Sequence, residues 1–540
     1  MSLNPDCAAQ SLAALRRAHA PHAVADSAPA APPATVPAAA AEPVAAPASV
    51  AGPDCPLRAV AVSATPVAAT PPAAPAAPTP AGKAARCWRP PPVSRARFKY
   101  LEGRTGRPSE AFTNLHNVLR LPQQGDPVRV GPKYIAIACT GAGGQVGIIR
   151  RDSPGRVPDS LATVVHGADV VDIAFDPFDP AIIATAGIDG RLQMWRVPDA
   201  PLCSDTSFEL EEHLSLAVDR VLQFRFHPCA RGVVAALVAV AGEHAVYVYS
   251  GLTLHFVVAK TNEGLHAFEW SPDGSCIAVV TKETKQLRVY DVRSQDLLGW
   301  GPALASARPC RIAWLGSSRI CLSGFGHDNR RRLAIYSAAD LSEPLDAADL
   351  DAAPGLLVPI VDADCAVIYL DDRGSRLTHA FEVVDDKLVE LPKLDSLHPS
   401  LGLAALPKQY ANVAQCEVLR LYRLGAQALE PLAFRVPRKR PEYFQDDIFP
   451  DTVDTESPSV DALAWLGGAV PEPKFISLQP QGMVPLSAAP PEAVLRRAVD
   501  EVSEQPVDNT KSAISAMLDR VDDAGAQGDD PPASDSDWDD

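Results

Sequence analysis

One segment of 30 residues, His166 to Trp195, limits what this chain can fold into: HGADVVDIAFDPFDPAIIATAGIDGRLQMW. Val170–Phe175 alternates apolar and polar residues as a half-buried strand does. Asp176-Pro177-Phe178-Asp179 is a turn, and Ile182–Ala186 is a second apolar run too short for a stable helix. Asp189-Gly190 is a tight-turn pair, and Leu192–Trp195 closes the unit as a third strand. A unit of this size cannot bury both faces of its sheet alone, so similar units must stack on it.

Weaker copies follow. Val221–Pro228 leads to Val246–Tyr249, Phe268–Gly274 to Leu287–Tyr290, and Ile312–Leu315 to Leu333–Tyr336. Val367–Leu370 leads to Leu377–Phe381 and Leu401–Ala404 to Val418–Tyr422, while a degenerate first copy ends near Ile148-Ile149. Taking Trp195, Tyr249, Tyr290, Tyr336, Phe381 and Tyr422 as end-markers gives intervals of 54, 41, 46, 45 and 41 residues. Strand, turn, strand, Asp-turn, strand, aromatic at roughly 40–50 residues is the pattern of a WD40 blade. Seven copies predict an all-β fold, a seven-bladed β-propeller over 94–434, closed into a ring that leaves few open sheet edges.

The flanks differ in composition. The first 95 residues hold 32 Ala and 19 Pro, too few bulky apolar side chains to offset the entropy of ordering, so 1–93 is expected to be a disordered arm. The remaining divisions are an extension over 435–485 packed on the propeller, a linker over 486–525, and an acidic tail over 526–540. No apolar run approaches the roughly 20 residues that span a bilayer. The 11 cysteines include no CxxC pair, which argues against a zinc module and a disulfide scaffold and fits a reducing cytoplasm. A net charge of −17 disfavours general nucleic-acid binding.

No catalytic constellation emerges: there is no GxSxG, HExxH or P-loop, and neither cofactor nor metal is expected. His166, Thr185, Asp189 and Trp195 have the chemistry of a reactive set, but in a blade they form an internal hydrogen-bond network. Gly141–Gly147 is a Gly-rich hairpin turn without GxGxxG spacing. His227 and His327 fall in blade turns. Two basic runs, Arg330-Arg331-Arg332 and Arg438-Lys439-Arg440 with Arg435 just before it, could meet an acidic protein surface such as actin.

The C-terminus carries a different signal. Between Asp529 and Asp540 there are six Asp and no Lys or Arg, with Trp538 set among Asp535, Asp537, Asp539 and Asp540. A Trp flanked by steering charges suits a partner's pocket. Upstream, Ile514, Met517, Leu518 and Val521 lie at i, i+3, i+4 and i+7, a short amphipathic helix that would fold on a partner.

Three stretches resemble the coronin family. Phe98, Phe112-Thr113-Asn114-Leu115 and the strand into Gly141–Ile149 are similar to that family's first blade, and Gln415–Leu424 to its last. Val436–Thr452 resembles the extension that packs back under the propeller in coronins. Ala464–Gly468, Ile476–Pro480 and the acidic Trp tail resemble the C-terminal half of the family's long branch, which lacks a coiled coil. The resemblance implies a non-enzymatic actin-cytoskeleton regulator: the propeller binds F-actin or partner proteins, and the tail contacts the Arp2/3 complex. For the long branch it also implies an alternative, a Golgi or vesicle-trafficking adaptor with little direct filament binding. A cytoplasmic, cytoskeletal location, peripheral to Golgi membranes in the second reading, goes with it. The missing heptad pattern predicts a monomer. Where many coronins carry an Asp-Ile-Arg motif, this chain reads Asn114-Leu115-His116, a neutral imidazole in place of a cation.

Overall fold

The structure, a computed structural model, describes residues 96–121 and 125–490. Seven antiparallel sheets follow one another along the chain. Blade 1 is Val128–Val130, Tyr134–Cys139, Gln145–Arg150 and Ala162–Val165. Blade 2 is Val170–Phe175, Ile182–Gly187, Arg191–Arg196 and Glu209–Ser215. Blade 3 spans 220–261, blade 4 spans 265–302, blade 5 spans 311–349 and blade 6 spans 357–395. Blade 7 takes Gly402–Ala405, Glu417–Leu424 and Ala428–Arg435 from the end of the repeat array.

Blade 7 is completed from the other end of the repeats. Glu102–Thr105 and Phe112–Thr113 both pair antiparallel with Ala428–Arg435, Glu102 opposite Arg435 and Thr113 opposite Ala428. Phe112 and Thr113 also pair in parallel with Gly155 and Arg156 of the blade-1 loop. The first-blade resemblance of Phe112–Leu115 is thereby corrected: this segment is the outer strand of the last blade, and it closes the ring. Closure removes the open edge that blade 7 would otherwise leave. Phe98, behind it, joins the core shared by blades 6 and 7.

The end-markers share one register. Ile149, Trp195, Tyr249, Tyr290, Tyr336 and Phe381 all lie on third strands, opposite Ile135, Ile183, Val234, Ile277, Ile320 and Ile368 of the second. In blade 7 that position is Phe434, opposite Leu419. Tyr422, read as the last marker, sits on the second strand and faces Ala404. The slip arises because Glu417–Leu424 and Ala428–Arg435 are both apolar runs joined by a short turn.

The extension runs across one face of the ring. Phe444, Ile448, Phe449 and Leu478 enter the core of blades 6 and 7. Farther on, Val460-Asp461 pairs in parallel with Ala230-Arg231 of blade 3. The Asp461 carboxylate accepts from the Ala464 N–H at 2.7 Å and so caps a five-residue helix, Ala462–Leu466. That cap directs Trp465 into the core between blades 3 and 4, against His227, Trp270 and Phe256. Arg293 lies over the indole and donates to the Trp465 carbonyl at 2.9 Å.

Candidate partner-binding surfaces

The blade-2 network brings its four residues together. His166 Nδ1 is 2.8 Å from Thr185 Oγ1, its Nε2 is 3.3 Å from Asp189 Oδ1, and Trp195 Nε1 donates to Thr185 Oγ1 at 3.1 Å. Burial holds the His166 pKa below its ordinary value against the pull of Asp189, which favours the neutral ring. The set ties the two neighbouring strands that carry Thr185 and Trp195 to the turn that holds Asp189 and to His166, ahead of the first strand of blade 2. His227 is spent in the same way. Its Nδ1 accepts from the Cys229 and Ala230 N–H groups at 3.0 and 2.8 Å, and burial lowers its pKa to about 4. Gly143 and Gly144 form a hairpin turn with positive φ at both residues.

The basic runs do not form open cationic patches. Arg331 is 1% exposed and clamps Asp351 and Asp372, the latter also buried, so it is unavailable to any partner. Burial opposes its charged form, but these two carboxylates raise its pKa. Arg332 pairs with Asp349, and Arg438 with Asp447 at 2.6 Å. Arg440 donates to the Pro490 carbonyl and stacks on Tyr443, and Arg435 lies 3.6 Å from the Glu417 carboxylate. Arg330 and Lys439 remain exposed and lie in different parts of the fold. A run of like charges reads as a patch in one dimension, but strand alternation turns Arg331 inward and Arg332 outward, while Arg330 lies just before the strand. Asp351, Asp372 and His379 lie close enough together to hold a metal ion, yet the Arg331 guanidinium already occupies both carboxylates.

His116 is exposed and bonded to Asn114 Oδ1 at 3.0 Å, at a cleft of about 600 Å³ beside the closing strand of blade 7. Arg120, Arg156 and His398 share that cleft. The amphipathic residues Ile514, Met517, Leu518 and Val521 and the acidic residues Asp535, Asp537, Trp538, Asp539 and Asp540 lie outside the described residues, as does the arm over 1–93.

One surface escaped the sequence reading. The outer strand of blade 4, Leu297–Pro302, exposes Leu298 at 59% and Trp300 at 58%, two residues apart and hence on one face. Leu254, on the outer strand of blade 3, and Leu252, just before it, are also exposed. The signal was present in the run Leu297-Leu298-Gly299-Trp300, which is apolar where an outer strand is ordinarily polar.

Fold and contacts together define a seven-bladed WD40-type propeller with a C-terminal segment laid across it. Residues 92–156 match the model of a domain of unknown function, DUF1899, and 429–473 match a type of WD40 repeat. The second match covers the last strand of blade 7 and the start of the extension rather than a whole blade. The chain is 36% identical over 409 residues to Coronin-7 of Rattus norvegicus, covering 74% of this chain and 44% of that protein. Identity to Coronin-7 of Homo sapiens is 36% over 410 residues, at 75% and 44%. The coronin-like protein crn1 of Schizosaccharomyces pombe is 28% identical over 394 residues, at 72% and 64%. The WD40 domain from Toxoplasma gondii coronin superposes with a TM-score of 0.65 at 25% identity, covering 71% of this chain and 98% of that one. The chain belongs to the coronin family. It spans less than half the length of the Coronin-7 relatives it matches.

Proposed function

We propose that this chain is a non-enzymatic binding scaffold of the actin cytoskeleton, whose propeller meets filaments or partner proteins and whose acidic tail contacts the Arp2/3 complex. The observation that carries the reading is the outer edge of blade 4. Leu298 and Trp300 stand exposed side by side on an edge strand, and an exposed Trp on an otherwise closed ring is a hot-spot anchor for another protein. Asp535, Asp537, Asp539 and Asp540 supply steering charge around a second anchor, Trp538.

A second reading, a trafficking adaptor with little direct filament contact, draws support from the basic runs. Internal partners engage Arg331, Arg332, Arg438 and Arg440, which leaves few free cations for acidic actin. Co-sedimentation of the full chain with actin filaments across a salt series separates the two. Pelleting that Trp300→Ala reduces, with an unchanged melting temperature, supports the scaffold reading. No pelleting at any salt concentration rejects filament binding and leaves the adaptor. In parallel, Trp538→Ala is expected to abolish capture of purified Arp2/3 complex by the tail. Unchanged capture rejects the tail assignment.

A further inference from the structure

The central channel holds a cluster that neither the propeller scaffold nor the tail uses. Four arginines from separate elements converge on Asp126: Arg129 at 2.7 Å, Arg311 at 3.0 Å, Arg225 at 3.6 Å, and Arg373 in hydrogen-bond contact. Asp172 pairs with Arg225 at 2.8 Å, and Glu269 with Arg225 at 3.3 Å. Each guanidinium carries five N–H donors, whereas one carboxylate offers about four acceptor positions. The backbone carbonyls of Gly125, Ile173 and Phe224 accept some of these donors, yet the buried Nε atoms of Arg311 and Arg373 are left without a partner. Arg311 is 5% exposed, lines a cavity of about 370 Å³, and its buried Nε has no hydrogen-bond partner.

Charge points the same way. Within the bonded cluster four cations face three acids, Asp126, Asp172 and Glu269. Asp371 lies behind Arg373, where burial raises its pKa against the pull of Arg373 and Arg423. Burial, followed by the crowding of Arg373 and Arg225, brings the Arg311 pKa down to about 10 despite Asp126. A buried cation excess is costly unless an anion joins it. Across the cavity Val358, Ile360 and Leu403 form an apolar wall that suits carbon atoms.

We propose that the channel binds a phosphate group, either as free phosphate or as a phosphomonoester on a small soluble molecule. Guanidinium forks match the oxygens of phosphate, and the cavity lies at the small end of the usual range for ligand sites. Arg311 supplies its free Nε, and Arg129 and Arg225 flank the anion from blades 1 and 3.

Calorimetric titration of the full chain with inorganic phosphate and with glycerol 3-phosphate, in chloride buffer of matched ionic strength, tests this. Saturable binding of at least one of them is expected. Arg311→Gln should weaken it about tenfold or more, the loss of one charge-assisted contact. Should that variant fail to fold, Glu269→Gln keeps the side-chain shape and removes a negative charge, and should tighten binding about fivefold. Binding of phosphate alone assigns the site to the free anion, and stronger binding of the ester assigns it to a small phosphorylated molecule. No saturable heat with either, or variants that both titrate like the unmodified chain, overturns the proposal.

Discussion

Replacing Trp465 by Ala is expected to detach the extension from blades 3 and 4. The indole is 1% exposed and packs on His227, Trp270 and Phe256. A buried Trp covers roughly 200 Å², which at about 25 cal/mol per Å² corresponds to about 5 kcal/mol. The methyl group that remains lowers this to about 4 kcal/mol, within the range for buried Trp→Ala. Trp465 Nε1 makes no hydrogen bond, so its removal strands no partner, and the Arg293 bond to the backbone carbonyl survives. The loss is therefore one of packing, and Trp465→Phe should cost about half as much. Native-state proteolysis of the extension as a function of urea reads the local opening free energy. Leu463→Ala, on the same short helix but 80% exposed, is the control and should change it by less than about 0.5 kcal/mol. A Trp465→Ala variant whose extension opens within about 1 kcal/mol of that control refutes the claim that this residue anchors the segment.

Arg331→Met should destabilise the propeller by about 3–5 kcal/mol in urea unfolding, because Asp372 is left buried without its cation. Lys439→Ala, at an exposed site, should be nearly neutral, and equal effects would contradict the separation of buried from exposed members of the basic runs. Burial lowers His227 and His266 to about 4, well below the unfolded value near 6.5. The unfolded chain therefore takes up these protons first: stability is fully present above about pH 6.5 and falls as pH drops toward 4, by up to about 3 kcal/mol per ring. His266→Gln should flatten the unfolding free energy against pH by one proton across that window, and an unchanged slope would exclude the ring as a contributor. Among the described cysteines, exposed Cys203 should be alkylated in the native protein, whereas burial pushes the Cys310 and Cys321 thiols up to about 12 and shields them until unfolding. Mass mapping of the labelled sites checks this.

The blades were legible in sequence because a strand writes its burial locally. Val170–Phe175, the Asp189-Gly190 turn and Trp195 each state a backbone conformation and a face within a few residues, and the repeat multiplies that signal. The four-residue network of blade 2 was legible for the same reason, since three of its members lie within one repeat unit and His166 opens it. The last marker slipped from Phe434 to Tyr422 because two adjacent apolar strands look alike without their pairing.

What the sequence determined by itself was therefore the repeat: its length, its turns, the number of blades and the acidic character of the tail. Tertiary structure alone decided what depends on residues far apart in the chain. It sent Phe112-Thr113 to the last blade, since ring closure pairs residues about 315 apart that share no local pattern. It turned Arg331 inward onto Asp372 and left Trp300 outward, since the side of a strand that meets the core is set by its neighbours in the ring. It gathered Arg129, Arg225, Arg311 and Arg373 around Asp126, because the inner ends of separate blades meet only at the axis of a closed propeller.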